Sequence, residues 1–221
     1  SNAPFNHNPR HPQRSVTAMR LITAASGSTR VALTKALYRA YWVDNHDIND
    51  PELLARLAAA HGISLQDANA QSTRDALRTN TKTATDRGVF GVPAFEVNGR
   101  IWWGQDRMHL VEQALGGTPD YMPQVSATRP QQIQFFHDFS SPYSYLAATQ
   151  IERLSVEWGA SLQLKPMLLG ALFKQVGTAN VPIFTFAPAR QAYVMQDLGD
   201  WADWWGVDFR FNPHFPMRTV T

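Results

Sequence analysis

Ser140-Ser141-Pro142 stands where a β-rich run ending at Phe139 gives way to a helical run ending near Leu154. Seen alone, this Ser-Pro pair reads as a helix N-cap with proline at the first helical position. The same place can also do chemistry. A helix N-terminus presents unbonded N–H groups and a partial positive charge, and both favour an anion there. The two readings are compatible. The chain has no cysteine, which excludes a protein thiol nucleophile, a protein disulfide and a zinc-thiolate site. No GxSxG elbow surrounds Ser141 and no His/Asp partners are evident, so a serine hydrolase is a weak reading. The seven histidines are scattered at 7, 11, 46, 61, 109, 137 and 214. No pair has HExxH spacing, and no metal site is expected. P-loop and GxGxxG patterns are also absent.

Four further places carry polar or special residues. Val92-Pro93 lies in "FGVPAF", and a lone X–Pro bond is ordinarily trans. Gln105 and Asp106 sit where a strand enters a helix, so Asp106 reads as a cap. Asn180, in "GTANVP", reads as a turn residue. Arg190 starts an amphipathic helix, where most arginines are solvated. Tyr143, Tyr145, Phe173, Trp102 and Trp103 read as core or pocket wall. His137 and Asp138 lie inside a strand and read as supporting groups.

The elements that must position these residues follow from pattern. Residues 30–43 have apolar side chains at helical spacing, after a break at "ASGS". Residues 49–62 form a capped helix, with Asp50 at the N-cap, Pro51 at N1 and Gly62 as the stop. Residues 64–88 read as one or two helices. "VPAFEVNGRIWWG" alternates around Asn98-Gly99, a β-hairpin signal. A short helix ends at Gly116-Gly117. Residues 118–132 read as a linker. A strand (133–139), a helix (142–158) and a second strand (162–167) then make a βαβ unit. A helix and loop follow, then a strong amphipathic helix from Pro188 to Gly206 and a terminal loop.

Composition bounds the rest. The chain has 221 residues, enough for one good-sized core or two small ones, and 44% are hydrophobic, as in globular proteins. Ser1-Asn2-Ala3 reads as an expression scar. No apolar run approaches the ~20 residues of a membrane helix, and no secretory h-region is visible. A net charge of +2 leaves no nucleic-acid footprint. Finally, Phe5, Asn8, Pro9, Pro12, Arg14, Val16 and Thr17 recur as Phe209, Asn212, Pro213, Pro216, Arg218, Val220 and Thr221, at a constant offset of 204. That is the mark of a duplicated unit about one domain long.

If the pieces on either side of the linker are exchanged, the order becomes strand, helix, strand, helical block, hairpin, helix. That order resembles a thioredoxin fold with a helical insertion. The motifs "FHDFSSPYSYLA", "TANVP", "RQAYVMQDL", "FNPHFPMRTVTAMRL" (read across the two ends), "DINDPELLARLAAAHG", "GVFGVPAFEVNG" and "WWGQDRM" carry the resemblance. They are similar to the kappa-class glutathione transferases and, most closely, to the 2-hydroxychromene-2-carboxylate isomerases, in the DsbA-like group. The resemblance covers nearly the whole chain, in permuted order. The fold expected is therefore α/β, thioredoxin-like and circularly permuted. A helical domain comes from 4–87 and 170–221, and a thioredoxin-like domain from 88–117 and 133–169. Residues 118–132 join the old termini. A closed permutant is favoured over chains that exchange halves.

The resemblance implies glutathione as cofactor. Ser141 would donate its O–H to the bound thiolate. Lowering a thiol pKa by about two units takes ~2.7 kcal/mol, within reach of one hydroxyl and a helix terminus. Pro93 would be cis and expose Val92 to the cysteinyl backbone of glutathione. Asp106 would take the γ-glutamyl ammonium and Gln105 its carboxylate. Asn180 and Arg190 would meet the substrate, although the family usually has Lys at the latter position. The activity implied is isomerisation of an aromatic carboxylate through a transient glutathione adduct, in aromatic catabolism such as that of naphthalene. A kappa-type transferase or peroxidase, or a domain that binds glutathione without turnover, are the alternatives. A cytoplasmic homodimer that binds no nucleic acid and no membrane is expected, possibly with exchanged halves.

Overall fold

The computed structural model describes residues 4–119, 131–179 and 181–216. Asn180 and the repeat positions Arg218, Val220 and Thr221 lie outside them. The chain divides into two compact units, residues 1–86 and 87–221.

The first unit is helical: α1 (Val16–Ala24), α2 (Gly27–Trp42), α3 (Pro51–Ala60), α4 (Leu65–Asn69) and α5 (Gln71–Asp86). α3 begins and ends as its sequence dictates. The Asp50 carboxylate accepts the Glu52 N–H at 2.9 Å, Pro51 is the first helical residue, and Gly62 follows at a positive φ of 69°. Leu21, Leu33, Leu37, Leu54, Ala58 and Ala68 are among the residues of one buried cluster. The unit thus has a core of its own. α1 was not expected as a helix. Its Ser15 makes no side-chain cap, so the start carries no local signal. α2 begins at Gly27, inside the expected break.

The second unit holds the hairpin β1 (Ala94–Val97) and β2 (Arg100–Trp103), a 3₁₀ turn at Gln105–Arg107 and α6 (Met108–Ala114). After the linker come β3 (Gln131–His137), α7 (Pro142–Glu157), β4 (Ala160–Pro166), α8 (Leu169–Gln175), a 3₁₀ turn at Pro182–Thr185 and α9 (Pro188–Trp205). Asn98 and Gly99 both have positive φ, 52° and 81°, as a two-residue hairpin turn requires. β3 starts at Gln131, inside the expected linker, because Gln131 and Gln132 register with Ala160 and Ser161 of β4. Residues 170–216 belong to this unit, whereas the helical block of 4–87 stands as a unit ending at Asp86.

Among the described residues the strands form two separate pairs, antiparallel β1–β2 and parallel β3–β4. The outer edge of β2 is covered by side chains of α9. Gln196 Nε2 donates to the Ile101 carbonyl at 2.7 Å, and the Trp103 N–H donates to the Tyr193 hydroxyl at 3.1 Å. An edge strand is commonly masked in this way. Leu146, Leu198 and Ala202 form a smaller core under Val194, Trp201, Phe209 and Phe211. Phe136, Phe139 and Leu164 stay exposed.

Candidate functional site

Ser141 caps α7 as its sequence requires. Its Oγ accepts the Ser144 N–H at 3.2 Å, and Pro142 is the first helical residue. The loop before it is fixed by Asp138, which is buried. Asp138 Oδ1 accepts the Ser140 N–H at 2.9 Å and Oδ2 accepts the Leu169 N–H at 2.7 Å, at the start of α8. The supporting role expected of Asp138 is thus a specific one: it pins the Ser140-Ser141 turn to the next helix. Ser141 lines a cleft of about 930 Å³ whose wall includes Phe135, His137, Tyr145, Leu164 and Phe211. A mostly apolar wall with the Ser141 hydroxyl at a helix N-terminus, and with Arg210, Asp208 and Glu152 also lining it, suits a ligand with an aromatic body and a charged end.

The second group gathers at the hairpin base. The Val92–Pro93 bond is cis, and Val92 is 85% exposed. The Pro93 carbonyl accepts the Gly104 N–H at 2.9 Å. Gly104 has φ 101°, and a Cβ there would lie 2.6 Å from Asp106 Oδ1. A side chain at 104 would therefore push the Asp106 carboxylate away. Asp106 does not cap α6. It pairs instead with the guanidinium of Arg107. Arg190 lies over the Phe186 ring at 3.9 Å and near the Trp103 ring at 5.8 Å. Trp103 in turn lies against Gly91, the residue before Val92, so Trp103 stands between Arg190 and that turn. Gln105 and Asp106 line a separate cavity of about 430 Å³ with His109.

A buried carboxylate links the two groups. Asp197 of α9 is 2% exposed. Arg107 Nε and Nη2 donate to it at 2.7 and 3.1 Å, and the hydroxyls of Tyr143 and Tyr193 donate at 2.9 and 3.4 Å. Tyr143 is two residues beyond Ser141. The chain Tyr143–Asp197–Arg107–Asp106 therefore runs from the start of α7 to the hairpin base. Asp200, one turn further on, takes Arg100 and the Trp102 indole N–H. Tyr193, Gln196, Asp197 and Asp200 share one face of α9 by their i, i+3, i+4, i+7 spacing. That spacing was the available signal. None of these four was among the expected site residues.

The electrostatics follow from burial. Burial, and then the Asp197 charge, push the Tyr143 phenol well above its usual range. Burial pushes the Tyr193 phenol up to about 12, with Asp197 adding to the shift against the opposing contact of the Trp103 N–H. Burial pulls the Arg107 guanidinium down, but its hydrogen bond and charge pairing with Asp197 outweigh this and raise it. Burial, helped by Arg107, holds His109 below its usual range. A raised phenol keeps its proton longer folded than unfolded, so this contribution to stability is complete below about pH 10 and is lost as pH rises through about 12. Phenolate absorbance should show Tyr143 and Tyr193 titrating above the ordinary tyrosine value of about 10. Asp197→Asn should lower both by the part that the Asp197 charge adds, while burial keeps them above 10; no change at all in that variant would mean that the Asp197 charge does not act on them.

At the start of α7 the group that could meet the sulfur of glutathione is the Ser141 hydroxyl, which lines a mostly apolar cleft, since Pro142 has no N–H and the Ser144 N–H is taken by Ser141 Oγ. The γ-glutamyl end is less simply placed. Gln105 and Asp106 open onto another cavity, and Asp106 already holds Arg107. The structure thus brings Val92, Pro93, Asp106 and Arg190 to the hairpin base, and sets Ser141 at the far end of the Asp197 link.

Several known proteins share stretches of this chain. Glutathione S-transferase kappa 1 of Caenorhabditis elegans is 33% identical over 84 residues, 38% of this chain and 36% of the relative. Glutathione S-transferase kappa 1 of Homo sapiens is 30% identical over 116 residues, 46% of this chain and 51% of the relative. The 2-hydroxychromene-2-carboxylate isomerase of Pseudomonas sp. (strain C18) is 46% identical over 39 residues, 18% of each chain. The matches thus span from about a sixth to about half of these relatives. The family model described as a DSBA-like thioredoxin domain matches residues 2–116 and 132–221, which is nearly the whole polypeptide, and the chain belongs to that family.

Proposed function

We propose that this chain serves a glutathione-dependent isomerase acting on a 2-hydroxychromene-2-carboxylate type of substrate. The observation that carries the reading is Ser141 at the N-cap of α7, facing a mostly apolar cleft in a chain with no cysteine. Glutathione, when bound, supplies a nucleophilic thiolate that adds reversibly to a conjugated carbon. The protein's part is to hold that sulfur as an anion. Ser141 donates its O–H to it, and the N-terminal end of α7 adds its partial charge. Val92, beside the Pro93 bond, offers backbone groups to the tripeptide. Gln105 and Asp106 hold its γ-glutamyl end, with Arg107 sharing the Asp106 carboxylate. Arg190 takes the substrate carboxylate over the Trp103 face, and Asn180 adds a polar contact. Phe135, Tyr145 and Phe211 enclose the aromatic body.

The reading extends to context. The motifs that resemble the family, which stand in exchanged order on either side of the linker, support a circular permutation. The exposed Phe136, which does not line the cleft, supports a homodimer that covers it. A glutathione-using enzyme without cysteines belongs in a cytoplasm with a reduced glutathione pool, within aromatic catabolism of the naphthalene kind. The longer identity to kappa transferases favours conjugation as the second reading.

Thiolate absorbance of bound glutathione, followed against pH, tests the site. Ser141→Ala should raise the bound thiol pKa by about one unit and slow turnover about tenfold. An unchanged pKa and rate would remove Ser141 from the mechanism. Chromene-carboxylate isomerisation and conjugation of an electrophilic aromatic halide, assayed side by side, separate the two activities. Glutathione binding without either leaves a binding domain.

A further inference from the structure

Over residues 5–12 and 209–216 the two copies of the repeat share their turn hydrogen bonds. In the first copy Asn8 Oδ1 accepts the Arg10 N–H at 2.9 Å, and the Asn8 carbonyl accepts the His11 N–H at 3.0 Å. In the second, Asn212 Oδ1 accepts the His214 N–H at 2.8 Å, and its carbonyl accepts the Phe215 N–H at 3.1 Å. The rings at the flanking positions repeat too. His7 and His11 meet edge-on at 6.0 Å, and Phe211 and Phe215 meet edge-on at 5.1 Å. Local sequence therefore builds the same turn twice.

Their surroundings differ. The first copy is seated on a receptor made by the end of α2 and the loop after it. The Asn6 N–H donates to the Trp42 carbonyl at 2.6 Å and Asn6 Nδ2 to the Val43 carbonyl at 2.7 Å. Asn8 Nδ2 donates to the carbonyls of Tyr41 and His46, both at 3.0 Å, and Asn8 is 0% exposed. Phe5 stacks on Trp42 at 5.6 Å, and His11 lies 5.3 Å from the same ring. In the second unit Phe209 and Phe211 pack beside Leu146 and Leu198, while Asn212, Pro213 and His214 are exposed.

We propose that residues 209–216 are a second docking segment, and that their partner is the Tyr41–Ile48 receptor of a second copy of this chain. Part of what the receptor reads is kept, whereas the Asn6 Nδ2 bond to the Val43 carbonyl and the His11 Nδ1 contact with the Tyr41 hydroxyl have no counterpart in Arg210 and Phe215. Phe209 stands for Phe5, the Arg210 backbone N–H for that of Asn6, and Asn212 for Asn8. Phe215 stands for His11 and sets a more apolar ring against Tyr41 and Trp42. The resident segment must leave first, so docking is an exchange, and two reciprocal exchanges close a two-fold dimer. The inference rests on the repeat and the receptor; Phe209, Phe211 and Phe215 also line the Ser141 cleft, so docking would open that cleft, and the disulfide readout does not depend on glutathione turnover.

The absence of cysteine makes the test clean. One full-length chain carries Val43→Cys with Asn8→Ala, which loosens the resident segment. The other carries Arg210→Cys. Mixed and oxidised, they should give a 43–210 disulfide heterodimer about tenfold above a control pairing Val43→Cys with the exposed Thr178→Cys, because docking concentrates the two thiols locally. Asn212→Ala in the second chain should return the yield to control. Asn6→Ala is run beside Asn8→Ala, because it loosens the segment from an exposed position and keeps the result readable if the buried change unfolds the unit. A yield at control level in the Asn6→Ala pair, a yield indifferent to Asn212→Ala, or a bridge formed only within one doubly substituted chain would overturn the proposal.

Discussion

Asp197→Ala should melt the second unit while leaving the first standing. The substitution removes the acceptor of four donors at once, from Arg107, Tyr143 and Tyr193. It leaves the guanidinium of Arg107, whose side chain is largely buried, with only Asp106 at the surface. Breaking one side of a buried pair typically costs about 3–5 kcal/mol, because the stranded charge has lost its water as well as its partner. The loss should appear in urea unfolding as an early transition of the 87–221 unit, followed by the undisturbed transition of 1–86. A single shifted transition of the whole chain would mean that the units do not unfold separately. Asp197→Asn is the milder test, since the amide can still accept from one or two donors.

Leu21→Ala should do the converse. Leu21 is 0% exposed and sits in the α1–α5 core with Leu33, Leu37 and Leu54. Removing its outer carbons should destabilise the unit by about 2–5 kcal/mol, the range for buried leucines in cores that relax only partly. The helical signal at 222 nm is the measurement of choice, because this unit is almost wholly helical. The tyrosine network lies in the other unit, and phenolate titration should not change. A simultaneous loss of both signals would contradict two separate cores.

The two substitutions differ in how visible their sites were beforehand. Leu21 lies in a helix that no local signal announced: Ser15 makes no cap, and the preceding Pro-rich stretch reads as loop. By contrast, Asp50-Pro51, Asn98-Gly99 and Gly206 announced their elements, because caps and turns are decided within a few residues of backbone. Ser141 could be read for the same reason. Asp197 could not, because a carboxylate on a helix face is ordinarily solvated. What pairs it is Arg107, 90 residues away, and Tyr143, 54 residues away, and no local pattern encodes those distances. Strand pairing is non-local in the same way. Each strand of the βαβ stretch was legible from its apolar residues, but the two-residue extension of β3 came from its partner. The repeat at offset 204 was legible as letters; that both copies share their turn hydrogen bonds needed coordinates.

The side chains along the outside of β2 have a last consequence. Tyr193 and Gln196 occupy the polar groups through which a further strand would attach on that flank, so the ribbon can recruit neighbours only alongside β1. Assembly through this hairpin is therefore one-sided. It can end a sheet but cannot be inserted in the middle of one, which makes it a terminator rather than a template for open-ended stacking.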